Sequence, residues 1–273
     1  MSQTSRPTPE KTHAAVTGEG SAVARYQSVI VGRRGLWSLL YYECCVWLGW
    51  MPGALGLALR KFLWPRLFGS CGEGVQFGTN ITLMHPHRIH LGTRTVVGNG
   101  CILDARNPES DRAIVIGDDG ILSHGVMISA KNSCITIGRS VGLGPYTVLQ
   151  AAQDSVRLGD DVIIAAQCYV GAGGDYYRDL LDVPIAKQGA RRTGDTWLQD
   201  GVWLGTGVTV LGGVTVGEHS IVGAGSVVTA SLPSTAVCVG IPARVVRWRQ
   251  GRREAAATTG REASTRSAAS TRS

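Results

Sequence analysis

The chain has 273 residues, 44% apolar and 17% charged, which is enough to bury a sizeable core and too apolar for wholesale disorder. Its formal charge of +7 does not describe a nucleic-acid groove: from Arg244 onward eight arginines face two glutamates, so the body is near neutral, and it is poor in aromatic stacking residues. Glycine is in excess, 27 of the 176 residues from Cys71 to Val246, but without an every-third-residue pattern, so collagen is excluded.

Residues 1–25, rich in Ser, Thr, Pro, Gly and charge, read as a disordered leader. Positions 36–59 form an apolar run whose one formal charge is Glu43; its length would span a bilayer. Pro52 and Gly53 break it into two short helices. Trp37, Trp47, Trp50 and Trp64 gather here, with Arg33 and Arg34 before the run and Arg60 and Lys61 after it. Two roles fit residues 26–70: a segment lying in a membrane interface, or a helical cap over the first coil of the next domain. A basic, low-complexity tail, expected to be disordered, occupies 247–273.

Between these ends, an aliphatic or aromatic residue recurs every six positions. The series is Phe77 and Leu83; Leu91, Val97 and Leu103; Ile116, Leu122 and Ile128; Ile137, Leu143 and Leu149; Leu158, Ile164 and Val170; then Leu198, Leu204, Val210, Val216, Val222 and Val228. In eleven of these twenty frames the next residue is glycine. Neither a helix period nor simple strand alternation produces such a repeat. A chain that turns a corner every six residues does, and three such sides make a coil that stacks on the next by parallel strand pairing. The spacing predicts an all-β parallel solenoid over 71–246, interrupted by one long excursion at 171–197. An excursion of that length from a regular solenoid is usually functional.

The seven cysteines are an odd number with no CxxC spacing, and Cys101 and Cys168 fall where the repeat demands a small residue. Buried reduced thiols in a cytoplasmic protein are expected, and no cleavable secretion signal opens the chain.

Three stretches carry a family resemblance: Pro52 to Gly92, Asp200 to Pro233 (DGVWLGTGVTVLGGVTVGEHSIVGAGSVVTASLP) and Val239 to Val246 (VGIPARVV). The chain resembles the left-handed β-helix, hexapeptide-repeat acyltransferases, and within them the O-acetyltransferases of sugars and surface polysaccharides. The resemblance implies a left-handed parallel β-helix, a homotrimer, and acetyl-CoA as co-substrate in the groove between neighbouring prisms. The implied acceptor is a hydroxyl of a sugar or polysaccharide precursor, handled on the inner face of the membrane. For the donor it points to Trp203, Gly205, Gly207, Gly223, Ala224 and Gly225, with Arg244 or Arg247 on a phosphate; glycine-lined turns would let backbone N–H groups approach the coenzyme.

In the family the general base is typically a histidine near the start of the excursion, and here the excursion contains none. Three readings stay open. Asp175, polarised by Tyr176 or Arg178, acts as base if burial raises its pKa; a histidine from elsewhere, above all His124, substitutes; or the domain is a non-catalytic CoA-binding or scaffold protein. The HPHRIH run (85–90) lacks an upstream histidine outside the leader and an evident supporting shell, so no metal is expected.

Overall fold

The computed structural model describes residues 21–249. Three sheets of seven, nine and seven strands wind into a prism, parallel throughout except for the last strand of the nine, and each strand of a face pairs in register with the strand of that face one coil earlier. On the first face Ile114–Ile116, Ile135–Ile137, Val156–Leu158 and Thr196–Leu198 stack in order; Ile121–Leu122 through Ile221–Val222 build the second, and Met127–Ala130 through Val227–Val228 the third. All twenty repeat positions point inward, and none is more than 4% exposed. The prism expected from the repeat is therefore the prism formed, with Cys101 and Cys168 in its core as free thiols.

Glycine after the inward residue answers to the neighbouring coil. A Cβ on Gly92 would lie 2.5 Å from the backbone nitrogen of Asp118 in the next layer, and one on Gly117 would lie 2.6 Å from the carbonyl oxygen of Gly138. At these two corners the next layer, about 4.8 Å away, leaves no room for a side chain.

The amino-terminal segment is more ordered than composition suggested. Ala22–Tyr26 is already helical and Gln27–Val31 forms a π-helical turn, so the leader boundary at 25 moves earlier; the remainder of the leader lies outside the described residues. Two helices follow, Leu36–Leu48 and Gly53–Leu63, parted at Pro52 as expected. Their inner side closes the open end of the prism. Phe68 stacks on Phe77 and Trp64 packs tilted against it, both with ring centroids 5.3 Å away, the Trp64 indole N–H donates to the Cys45 carbonyl, and the Tyr42 hydroxyl donates to the Leu83 carbonyl. Buried Arg60 donates to the carbonyls of Phe77, Leu48 and Met51. First-coil N–H groups also find partners in the cap, Asn80 in Gly49 and His85 in Ile30. The sheet edge is thus covered rather than left to pair with another chain.

At the other end Ala236–Gly240 turns back through Ala243–Trp248, an antiparallel hairpin added to the second face. The hexapeptide spacing held no signal for it. Arg247 belongs to this strand; the rest of the proposed tail, from 250 onward, lies outside the described residues.

Candidate active site

The excursion leaves the prism where the third face returns to the first. Tyr169–Ala172 completes its strand, and the chain departs through Gly173 and Gly174, with φ of 69° and 82°. Both conformations are left-handed, and a Cβ on Gly173 would come within 2.8 Å of the Gln153 nitrogen. A short antiparallel hairpin follows, Asp175–Tyr176 against Ala190–Arg191, crossed by the helical turn Ile185–Gln188. Buried Gln188 staples the loop to itself: its Nε2 donates to the carbonyls of Leu180 and Val183, and its Oε1 accepts from the Leu180 N–H.

Asp154, buried on the coil below, anchors the return. It accepts from Arg192 Nε at 2.8 Å and from the backbone N–H groups of Thr193 and Gly194 at 2.7 and 3.0 Å. The sequence reading missed this residue, because its partners lie 38 to 40 positions away. Asp154→Ala strands those donors and is expected to cost about 2–3 kcal/mol, with faster proteolysis confined to 173–195. Denaturant titration and limited proteolysis check it; an unchanged cleavage pattern would remove Asp154 from the anchoring role.

A cleft of about 460 Å³ lies under the loop, with Tyr169, Asp175, Arg178, Arg191, Leu211 and Thr229 among its walls. Asp175 sits at its edge. Arg191 holds its Oδ2 through two nitrogens at 2.7 and 2.8 Å, Arg178 stands 3.6 Å from Oδ1, and the Tyr176 N–H donates to Oδ1 at 3.0 Å. Partial desolvation pushes this carboxyl upward, but the Arg191 hydrogen bonds and charge, the Tyr176 N–H and the Arg178 charge together outweigh it, and it rests below the usual carboxylate range. The condition attached to Asp175 as a base is therefore reversed: the group is an ionised carboxylate held by two guanidiniums. The Tyr176 side chain is largely exposed beside it.

His124 is not brought to this cleft. It occupies the corner between the second and third faces, its ring edge-on to Tyr146 at 5.1 Å. Asp175 lies at the corner beyond the third face, so one chain keeps them a full face apart, and the loop does not fold back toward His124. His85 and His90 are engaged within the cap and first coils: His85 with the Ser28 carbonyl and Arg88, His90 with Ser70 and the Asp111 carbonyl.

The residues expected to hold the donor do converge. Gly205, Gly207, Gly223, Ala224 and Gly225 stack on the same corner as His124, toward the carboxyl-terminal end. Trp203 projects half-exposed from the adjoining second face. Arg244, paired with Val239 in the terminal hairpin, lies above Gly223, whose missing Cβ would meet the Val239 side chain. The reason given for the glycines needs correction, however. The N–H groups of Gly205, Gly207, Gly223 and Gly225 donate to the carbonyls of Val222, Ala166, Cys238 and Thr206 in neighbouring coils. Gly205 and Gly223 serve coil packing, since a Cβ there would lie 2.7 Å from the Ala224 nitrogen and from the Val239 side chain; Gly207 and Gly225 take left-handed turn conformations with open space beside them, and Ala224 alone of the five keeps its N–H unspent.

The family model described as Bacterial transferase hexapeptide (six repeats) matches residues 195–230. The chain is similar to AntD, an N-acyltransferase from Bacillus cereus solved with dTDP and 3-hydroxybutyryl-CoA, at 20% identity over 73% of this chain and 92% of that one, with a TM-score of 0.48. It is also similar to the polySia specific acetyltransferase NeuO, at 21% identity over 66% and 87% with a TM-score of 0.40. A hexapeptide transferase family protein from Anaplasma phagocytophilum is similar at 17% identity over 66% and 82%, with a TM-score of 0.42. No curated protein matches the sequence. With its inward aliphatic ladder and its three faces of parallel strands, the chain folds as a parallel β-helix of hexapeptide repeats, and the matched family model covers 195–230 of it.

Proposed function

We propose that this protein transfers an acetyl group from acetyl-CoA to a hydroxyl of a sugar or surface-polysaccharide precursor. The observation that carries the reading is the cleft under the excursion, where a rigid prism holds an ionised carboxylate between two guanidiniums. In the reaction the acceptor oxygen attacks the thioester carbonyl carbon, Asp175 takes the hydroxyl proton, the C–S bond breaks, and the proton passes to the departing thiolate. Arg178 and Arg191 keep Asp175 charged and set positive charge beside the developing oxyanion.

The donor strip (Trp203, the 205–225 corner and Arg244) and the loop cleft lie on opposite edges of the third face, roughly 15–20 Å apart at about 3.3 Å per residue. A homotrimer accounts for that separation, since it sets the strip of one copy against the cleft of the next. The seven unpaired cysteines fit a reducing, cytoplasmic setting.

The test is release of free thiol from acetyl-CoA against a panel of sugars, with the protein's own exposed Cys44 taken into the blank. Trp203→Ala removes an exposed side chain, so folding should hold while KM for acetyl-CoA rises at least ~10-fold at little change in kcat. An unchanged KM takes Trp203 out of the donor site. The salt-bridged state of Asp175 and the histidine-free loop favour a second reading, a scaffold that binds CoA without transfer. Retained CoA binding with no turnover on any acceptor would select it.

A further inference from the structure

The helical cap has an outer side that the prism does not use. On Leu36–Leu48 the positions opposite buried Tyr42 and Cys45 are Trp37, Leu40 and Trp47, with Trp37 and Trp47 83% and 79% exposed. Trp50 at the connection and Leu55 and Phe62 on Gly53–Leu63 continue the outward apolar set. Solitary exposed apolar residues are ordinary; a run of large ones on two consecutive helices marks an interaction surface. Its charge identifies the partner. Arg33, Arg34, Lys61 and Arg66 are all exposed around it, while the single acid of the segment, Glu43, is occupied by the Tyr26 hydroxyl at 2.6 Å. Beside Trp37 a cleft is lined by Arg33, Arg66, Tyr41 and His87, and the buried Nδ1 of His87 has no hydrogen-bond partner. The cleft offers donors and positive charge next to indole rings, the combination found where a polypeptide meets phospholipid headgroups.

No helix among the described residues is long and apolar enough to cross a membrane, and a 13-residue helix reaches only about 20 Å of a ~30 Å hydrocarbon core. We infer that the outer face of the cap docks flat on an anionic phospholipid bilayer, tryptophans at headgroup depth and arginines on lipid phosphate. End cap and interface are then two sides of the same helices. This docking stands whether or not the prism catalyses acyl transfer.

Vesicle co-sedimentation of the full chain tests it, with phosphatidylglycerol–phosphatidylethanolamine vesicles against pure phosphatidylcholine. Binding is expected to the anionic vesicles, at least tenfold weaker to the zwitterionic ones, and weakened by added salt. Trp37→Ala with Trp47→Ala, and separately Arg33→Glu with Arg34→Glu, should each cut binding at least tenfold while circular dichroism and oligomeric state stay unchanged. Equal binding to both vesicle types, or no binding to either, overturns the inference. So does a change of oligomeric state in the tryptophan variant, which would assign the face to a second copy of the chain.

Discussion

Trp64→Ala is expected to remove about 3–5 kcal/mol of stability, whereas Trp47→Ala on the neighbouring helix should stay within about 0.5 kcal/mol. The residue type is the same and the surroundings are opposite. Trp64 is 1% exposed, packs tilted against Phe77 and spends its indole N–H on the Cys45 carbonyl; Trp47 projects outward from the cap. Truncating Trp64 empties the contact between cap and first coil and removes one of the two donors, the other being the Gly49 N–H, on the Cys45 carbonyl. Each coil of a solenoid is supported only by its neighbours, so loss at an end coil propagates inward by fraying. Deleting residues 1–70 is the extreme case. It exposes Phe77 and Leu83, and it unpairs the first-coil N–H groups of Asn80 and His85. The deleted chain should be recovered aggregated, not as a free-standing prism, contrary to a reading of 26–70 as a membrane element alone. Denaturant titration of the two point variants and gel filtration of the deletion check this; equal midpoints for Trp64→Ala and Trp47→Ala would show that the cap does not hold the prism.

Asp175→Asn is expected to lower kcat for acyl transfer at least ~100-fold with little change in overall folding, because the side chain lies at the cleft edge and outside the core. The pH dependence separates a base from a structural carboxylate. Arg191, with help from Arg178 and the Tyr176 N–H, holds the carboxyl below its ordinary range, so it is already ionised across pH 5–8 and the wild-type rate should show no acid limb from this residue. Arg191→Ala removes the largest of the influences that lower the pKa and leaves the desolvation that raises it. The carboxyl pKa then rises, and an acid limb should move into the measurable range, with rates falling at pH 5 relative to pH 8. Both profiles can be taken from thiol release at saturating acetyl-CoA. Full activity in Asp175→Asn would remove the residue from the proton-transfer role. A normal drop without the shifted limb in Arg191→Ala would leave Asp175 as a positioning group.

What was legible in sequence follows from what is local. The six-residue period is written into each side of each coil, since one inward residue and one close approach to the next layer recur whatever the rest of the chain does. Phe77 through Val228 could therefore be placed inside the prism from spacing alone, and Pro52 could be assigned as the break between helices because its own ring enforces it. The excursion was visible as an interruption of that period. Its ends moved by two residues at each side, because Tyr169–Ala172 keeps its ladder to Ala172 and Thr196 rejoins the first face.

Tertiary structure decided whatever depends on partners brought from afar. Asp175 meets Arg191 across sixteen residues through a hairpin with no periodic signature, and that meeting, not burial, sets its charge. Asp154 became the loop anchor through contacts about forty positions away. The corner a residue occupies is fixed by counting faces, which is why His124, near in coil number, stands a full face from the cleft. Both sides of the Leu36–Leu48 helix are apolar, so composition could not divide cap from interface. Only the prism pressing on Tyr42 and Cys45 selects the inward side and leaves the tryptophans facing out.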